Sequence, residues 1–242
     1  METLEQLDAR IARIMAKADA LKDKQFKFKT GKWPPVWEPA LSEKAVAAFE
    51  AKKGIRLPED YRRFITTVAA SGSAPFYGLH SPLERDRPVH LPFPYLLDKY
   101  PYFLYMTEEE MDAFYEEDDG ESYVEQDVPA GKRPETYFDY DFGALFLCTE
   151  GDGMDSILVV NSADPDVYGT VWFFDLANDF GVVPMRDEKT GRPFRFLDWL
   201  EYWADRTAAL APDEYFSYME AVRLPPPPDD PNIMGRKMGW IK

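Results

Sequence analysis

LSEKAVAAFEAKKGIRLPEDYRRFITTV, residues 41–68, reads as a helix, a sharp stop, a short extended step and a second helix. Ser42 is placed to cap the first helix, its hydroxyl accepting from an orphan backbone N–H. Ala45, Ala48 and Phe49 recur at three- and four-residue spacing and mark the face expected to pack. Lys52 and Lys53 fall in the last turn, where the helix dipole favours cations, and Gly54 supplies a left-handed stop. Ile55 and Leu57 alternate with Arg56, as on a short extended piece. Pro58 is expected at the first position of the second helix, where its missing N–H would be unpaired anyway. Glu59 and Asp60 occupy the positive end of that helix, and Tyr61, Phe64, Ile65 and Val68 follow at i, i+3, i+4 and i+7. The local signals agree with one another, as a foldable unit requires.

Outward from this stretch the pattern changes twice. Residues 3–24 predict an amphipathic helix, with Leu4, Leu7, Ile11, Ile14, Ala18 and Leu21 as its apolar stripe, expected to dock on the body. Residues 25–40 contain WPPVWEP, an extended segment stiffened by three prolines, with Trp33 and Trp37 as anchors. After the two-helix unit, residues 71–106 are rich in proline and aromatics, which disfavours long regular elements. Thr107 and Glu110 have capping-box spacing and start an expected helix with Met111, Phe114 and Tyr115 on its apolar stripe. Residues 144–149, 157–160 and 170–174 are β-branched and aromatic and are separated by EGDGMDS and NSADPDVYG, the pattern of an antiparallel meander. Residues 181–184 add a short fourth strand. Phe196, Leu197, Leu200 and Trp203 mark a helix, residues 213–222 a last short one, and the proline-rich tail follows.

The opening stretch, F-E-x-x-x-G-I-x-L-P-x-D-Y-x-x-F, resembles the signature of SUKH superfamily domains, the Smi/Knr-like proteins. The matching residues are Phe49, Glu50, Gly54, Ile55, Leu57, Pro58, Asp60, Tyr61 and Phe64. Later segments extend the resemblance: Gly151 and Gly153 in a polar turn, the apolar strand 157–160, Gly169, Val171 and Trp172, and then Phe196, Trp199 and Leu200. It implies an α+β fold, a mostly antiparallel sheet of about four to six strands with packed helices. The resemblance brackets about 41–207, and with the patterns on either side the expected division has three parts. Residues 1–40 form an N-terminal helix and extended segment. Residues 41–207 form a SUKH-like domain with an acidic insertion at about 81–140. Residues 208–242 form a C-terminal helix and tail. It also implies a non-enzymatic role, because the family is known mainly for bacterial immunity proteins that bind toxins, with fungal members acting as regulators and scaffolds.

Composition narrows the choice independently. Hydrophobic residues make up 45% of the 242, and aromatics 15%, enough for a sizeable core. No apolar run approaches the roughly 20 residues that span a bilayer. Residues 1–24 mix acids and bases and lack the apolar core of a secretory signal. Cys148 is the single cysteine, so neither an internal disulfide nor a cysteine-built zinc site is available, and a cytoplasmic location is expected. The net charge of −16 repels nucleic acid and anionic lipid but speeds encounter with a basic partner.

Chemistry-bearing patterns are few, and no catalytic, cofactor-binding or metal-binding residue is assigned. His80 and His90 are the only histidines and have no ligand spacing. Cys148 sits within an apolar strand pattern, where a cysteine behaves as a small hydrophobe. The turns at residues 150–155 and 161–166 offer oxygens to calcium, but Asp, Asn and Gly are also ordinary turn residues. No nucleotide motif is present. A hydrolase using paired carboxylates remains an alternative with no marked pair. The feature that folding does not favour is the acidic run Glu116, Glu117, Asp118 and Asp119, with Glu121, Glu125 and Asp127 behind it. It is expected to be the partner-binding surface, facing a cognate toxin, such as a nuclease with a positive cleft, or another basic protein.

Overall fold

The structure, a computed structural model, describes residues 2–24, 34–84, 87–102, 109, 123–124, 136–137, 142–175, 180–211 and 213–222. In chain order the elements are α1 (Leu4–Ala20), β1 (Trp37–Pro39), α2 (Glu43–Lys53), α3 (Glu59–Thr67), β2 (Ala69–Gly72), β3 (Tyr123–Val124), β4 (Thr136–Tyr137), β5 (Ala144–Gly151), β6 (Met154–Val159), β7 (Val171–Asp175), β8 (Gly181–Pro184) and α4 (Phe196–Ala209). β5, β6, β7 and β8 form an antiparallel meander in that order, while β1–β2 and β3–β4 are two-stranded antiparallel ribbons. The fold is α+β, as the sequence implies.

The helix–stop–helix unit is present with two adjustments. Ser42 Oγ accepts from the Ala45 amide at 3.2 Å, and Gly54 turns left-handed at φ 64°. The packed face of α2 is rotated from the expected one: Val46 is buried and Ala48 is exposed. Pro58 is the cap residue before α3, one position earlier than expected, because its ψ of 138° keeps it extended. Glu50 reaches across the turn, its Oε1 accepting from the Leu57 amide at 2.9 Å, so this carboxylate fixes the step between the helices. Asp60 spans further: Oδ1 accepts from its neighbour's amide, Tyr61, and Oδ2 from the Leu197 amide in the first turn of α4, at 3.2 Å. A carboxylate suits that positive helix end, although burial raises its pKa above the ordinary range.

The two halves of the sequence pattern meet at one place. Tyr61 and Phe64 pack their rings on Phe196, with centroids 4.9 and 5.2 Å apart. Gly169 has φ 78°, and a Cβ there would collide with the Arg195 guanidinium and press the Pro58 ring. Arg195 donates to the Tyr168 carbonyl, and the Tyr168 hydroxyl donates to the Arg56 carbonyl at 2.9 Å. Glycine is therefore a packing requirement where the 54–58 step, the strand entry and α4 converge.

The meander is covered on both faces. Leu158, Val171, Phe173 and Val183 face the helices, together with Tyr61, Phe64, Leu197 and Leu200. The alternate residues Ile157, Val159, Trp172 and Val182 form a second core with Phe93, against which Tyr95, Leu97 and Tyr100 pack. Residues 87–102, placed by the sequence reading inside the insertion, are thus one wall of the body. A bulge between Phe146 and Cys148 lets Leu147 and Cys148 both face the helix side. Neither outer strand is open. Tyr77 and His80 amides donate to the Thr149 and Leu147 carbonyls of β5, and the Val182 amide of β8 donates to the Pro101 carbonyl.

Further boundaries differ from expectation. β5 and β6 run closer to each other than EGDGMDS suggests, leaving only Asp152 (φ 50°) and Gly153 (φ 78°) as a hairpin turn. Residues 213–222 form no α-helix. They run as an extended strap ending in one 3-10 turn, Tyr218–Ala221, because Phe216 and Tyr218 alternate inward rather than following a helical stripe. The α1 stripe docks from Leu7 onward, with Leu7, Ile11, Ile14, Ala18 and Leu21 buried, while Leu4 at the helix start is exposed, and Trp37 packs edge-on to Phe64 and Trp203. Trp33 lies outside the described residues.

Candidate functional site

Glu116, Glu117, Asp118, Asp119, Glu121, Glu125 and Asp127 lie outside the described residues, as does nearly all of the helix expected from Thr107. The other candidates are placed. Cys148 is buried, and burial pushes its thiol well above the ordinary range, so it remains protonated and unreactive. His80 lies 3.2 Å from Glu84 and meets the Phe146 ring edge-on. Asn161 clips the loop before it, its Nδ2 donating to the Val89 and His90 carbonyls at 3.1 and 2.9 Å. Asp164 accepts from the Asp166 amide in an ordinary Asx turn. Among the described residues no group of three or more His, Cys, Asp or Glu is arranged to hold a metal ion. None of the described helices is long and apolar enough to cross a membrane.

Three segments distant in sequence converge where β5 ends. Phe76, itself left-handed at φ 48°, packs between Phe216 and Tyr218 of the strap, with ring centroids 5.2 and 5.3 Å away. Tyr77 lies over Gly151, where an added Cβ would sit 3.2 Å from its ring. Glu150 joins the strap to the sheet, its Oε1 accepting from the Tyr218 amide at 2.9 Å. Beside this seam Tyr77 is 55% exposed, Tyr215 76% and Met219 37%. Sequence reasoning missed the site, because a helix over 213–222 would have spread these residues around an axis instead of setting them along a seam.

Glu150 is a carboxyl with a strongly shifted protonation equilibrium. Burial raises its carboxyl to about 7, assisted by the nearby Asp175 and Glu220 carboxylates and opposed by hydrogen bonds from Ser217 and the Tyr218 amide. Its pKa in the unfolded chain is the ordinary 4.5. The folded state therefore holds the proton more tightly. The stability this confers is full below pH 4.5 and is lost as pH rises through 7, a swing of roughly 3 kcal/mol at most. Glu150→Gln keeps an acceptor for the Tyr218 amide without the charge. It should stabilise the protein by about 2 kcal/mol at pH 8.5 and have little effect at pH 4.5. Thermal melts across that range test this, and a pH-independent difference would refute it.

The residues of the opening signature are occupied with the scaffold: Glu50, Pro58, Asp60, Tyr61 and Phe64 cap, turn or pack. The model of the SMI1 / KNR4 family (SUKH-1) matches residues 40–200, from the start of the helix–stop–helix unit into α4. The chain belongs to that family. The match leaves α1, the end of α4 and the strap outside it. The matched span contains the two-helix unit, the meander and the first part of α4. No curated protein and no solved structure matches the chain.

Proposed function

We propose that this SUKH-1 chain is a non-catalytic protein-binding module, an immunity protein that neutralises a cognate bacterial toxin in the cytoplasm by direct contact. Family membership carries this reading. Two further observations support it. The net charge of −16 suits a basic partner such as a nuclease with a positive cleft. The candidate nucleophile Cys148 is buried and protonated, and the signature carboxylates Glu50 and Asp60 are committed to backbone N–H groups. The acidic run from Glu116 to Asp127 is the proposed contact, with its dense like charges directed to the toxin rather than to folding.

Co-expression with the toxins encoded beside its gene tests the reading. The expected result is rescue of growth and a stoichiometric complex. Absence of both for every toxic neighbour would overturn it. Replacing Glu116, Glu117, Asp118 and Asp119 with Gln or Asn should slow association by about tenfold at low salt and flatten its salt dependence. An unchanged rate and slope would remove this run from the interface. A second reading, a scaffold of the fungal Smi/Knr kind, is favoured by α1 and the strap, which lie outside the family match. A gene neighbourhood without a toxin would select it.

A further inference from the structure

The seam where β5, the 76–77 turn and the strap meet has two properties beyond its packing. The first is exposed aromatic surface. Single apolar residues scattered over a protein surface are ordinary. Here Tyr77, Tyr215 and Met219, three of the seven exposed large hydrophobic residues described, are each the chain neighbour of a ring in the packed cluster of half-buried Phe76 and buried Phe216 and Tyr218. Tyrosine supplies large, rigid contact area at low entropic cost and is enriched at binding hot spots. The platform beneath is firm, because Phe76, Phe216 and Tyr218 are mutually packed and Glu150 fastens the strap.

The second property is charge of one sign. Residues 69–79, 149–156 and 213–222 build the seam and contain six acids, Glu150, Asp152, Asp155, Asp213, Glu214 and Glu220, and no lysine or arginine. Asp152, Asp213, Glu214 and Glu220 are exposed. A cation at the seam, Arg206 of α4, is paired with Glu220 and lies over the Phe216 ring, 5.9 Å from its centroid. The protein's own arginine thus already uses the chemistry this surface offers: a guanidinium over an aromatic face with a carboxylate at its edge.

We propose that this seam is a docking surface for an arginine-bearing basic segment of a protein partner, with Tyr77 and Tyr215 stacking on guanidinium groups while the exposed carboxylates pair with them. The proposal rests on the protein-binding reading above and adds a second contact region to it, built from the described body rather than from residues 116–127. Arginine is preferred over lysine because its planar cation both stacks on tyrosine and binds carboxylate through two N–H groups.

The test uses the full chain labelled with 3-fluorotyrosine, titrated with a deca-arginine peptide and, separately, a deca-lysine peptide. Fluorine resonances are assigned from single Tyr→Phe variants. Deca-arginine should shift the Tyr77 and Tyr215 signals saturably. Deca-lysine should bind at least threefold more weakly, and Tyr77→Ala with Tyr215→Ala should weaken deca-arginine binding at least fivefold. Both side chains are exposed, so the variants should keep the wild-type fold. Glu214→Gln with Asp213→Asn gives an independent arm, with at least a threefold loss expected at low salt. Unshifted Tyr77 and Tyr215 signals, or wild-type affinity in the tyrosine variants, would overturn the proposal. Binding that disappears only when residues 116–119 are neutralised would also overturn it, while leaving the protein-binding reading intact. Conversely, a shifted seam in a chain that rescues no toxin would sustain the surface and remove the immunity role.

Discussion

Replacing Trp172 with alanine should cost about 3–5 kcal/mol of stability and should release residues 87–102 from the sheet first. Trp172 is fully buried and is the largest side chain of the second core. Its ring meets Phe93 and Tyr100 edge-on, with centroids 5.0 and 5.7 Å away, and both partners belong to the covering segment. Its indole Nε1 donates to Thr170 Oγ1 at 2.8 Å, and that hydroxyl donates to the Val167 carbonyl. Truncation therefore opens a large cavity, removes two aromatic contacts and leaves a buried hydroxyl short of a donor. The helix-side core of Val171 and Phe173 stays in place, so the loss is directional. Hydrogen exchange distinguishes this outcome from uniform destabilisation. The Phe93 amide, bonded to the Asn161 carbonyl, and the Val182 amide, bonded to the Pro101 carbonyl, should lose protection well before the β6–β7 amides. Equal loss of protection at all these amides would show that residues 87–102 are not a separately releasable wall. Trp172→Phe, which keeps a ring against Phe93, should recover most of the stability.

Trp172 also shows what the sequence made legible and what it hid. The strands themselves were readable, because 144–149, 157–160 and 170–174 are unbroken apolar runs between turn residues. Such runs signal strands buried on both faces, yet a run does not say what covers the second face. The cover is a proline-rich, irregular stretch whose aromatics, Phe93, Tyr95 and Tyr100, have no period to announce their partner. The two-helix unit was legible because its signals are local: a serine cap, a glycine stop and a proline step. Even there the packed face of α2 was misjudged: Val46 and Ala48 point to nearly opposite sides of the helix, and tertiary packing, which the local pattern does not contain, chose the Val46 side. The strap failed as a helix because Phe216 and Tyr218 are satisfied by Phe76, a contact between residues about 140 positions apart that no local window contains. The candidate seam inherits that difficulty, being assembled from three segments. The acidic run is the opposite case: it is conspicuous in sequence and lies outside the described residues.

Replacing Asp198 with alanine should cost about 3–5 kcal/mol, most of it by loosening α1 from α4. The side chain is only 8% exposed and gathers four N–H donors from three residues. Arg192 binds it through both Nη atoms at 2.8 Å, Arg10 of α1 reaches Oδ1 at 2.5 Å, and the Arg195 amide at the start of α4 donates to Oδ2 at 2.8 Å. Burial alone would raise its pKa, but the Arg192 hydrogen bond, the Arg195 amide and Arg10 outweigh it and hold the carboxyl below the ordinary value of 3.8. The sign is thus opposite to that of Glu150. The stabilisation is present above the unfolded pKa near 3.8 and is lost as pH falls through the folded value. Three further rungs of the α1–α4 seam, Arg13 and Lys17 with Glu201 and Lys17 with Asp205, are more exposed at one or both ends and should contribute under about 1 kcal/mol each. Asp198 differs because its loss leaves Arg10, 16% exposed beside the apolar stripe of Leu7, Ile11 and Ile14, with only its longer pairings to Glu2 at 3.3 Å and Glu201 at 3.7 Å. Chemical denaturation of Asp198→Ala at pH 7 and again at pH 3 measures both parts of the claim, since the deficit should shrink in acid. A double-mutant cycle with Arg10→Ala should return a coupling of about 1–3 kcal/mol. A single-mutant cost below 1 kcal/mol at pH 7, or a coupling near zero, would mean that α1 is held by its apolar stripe alone.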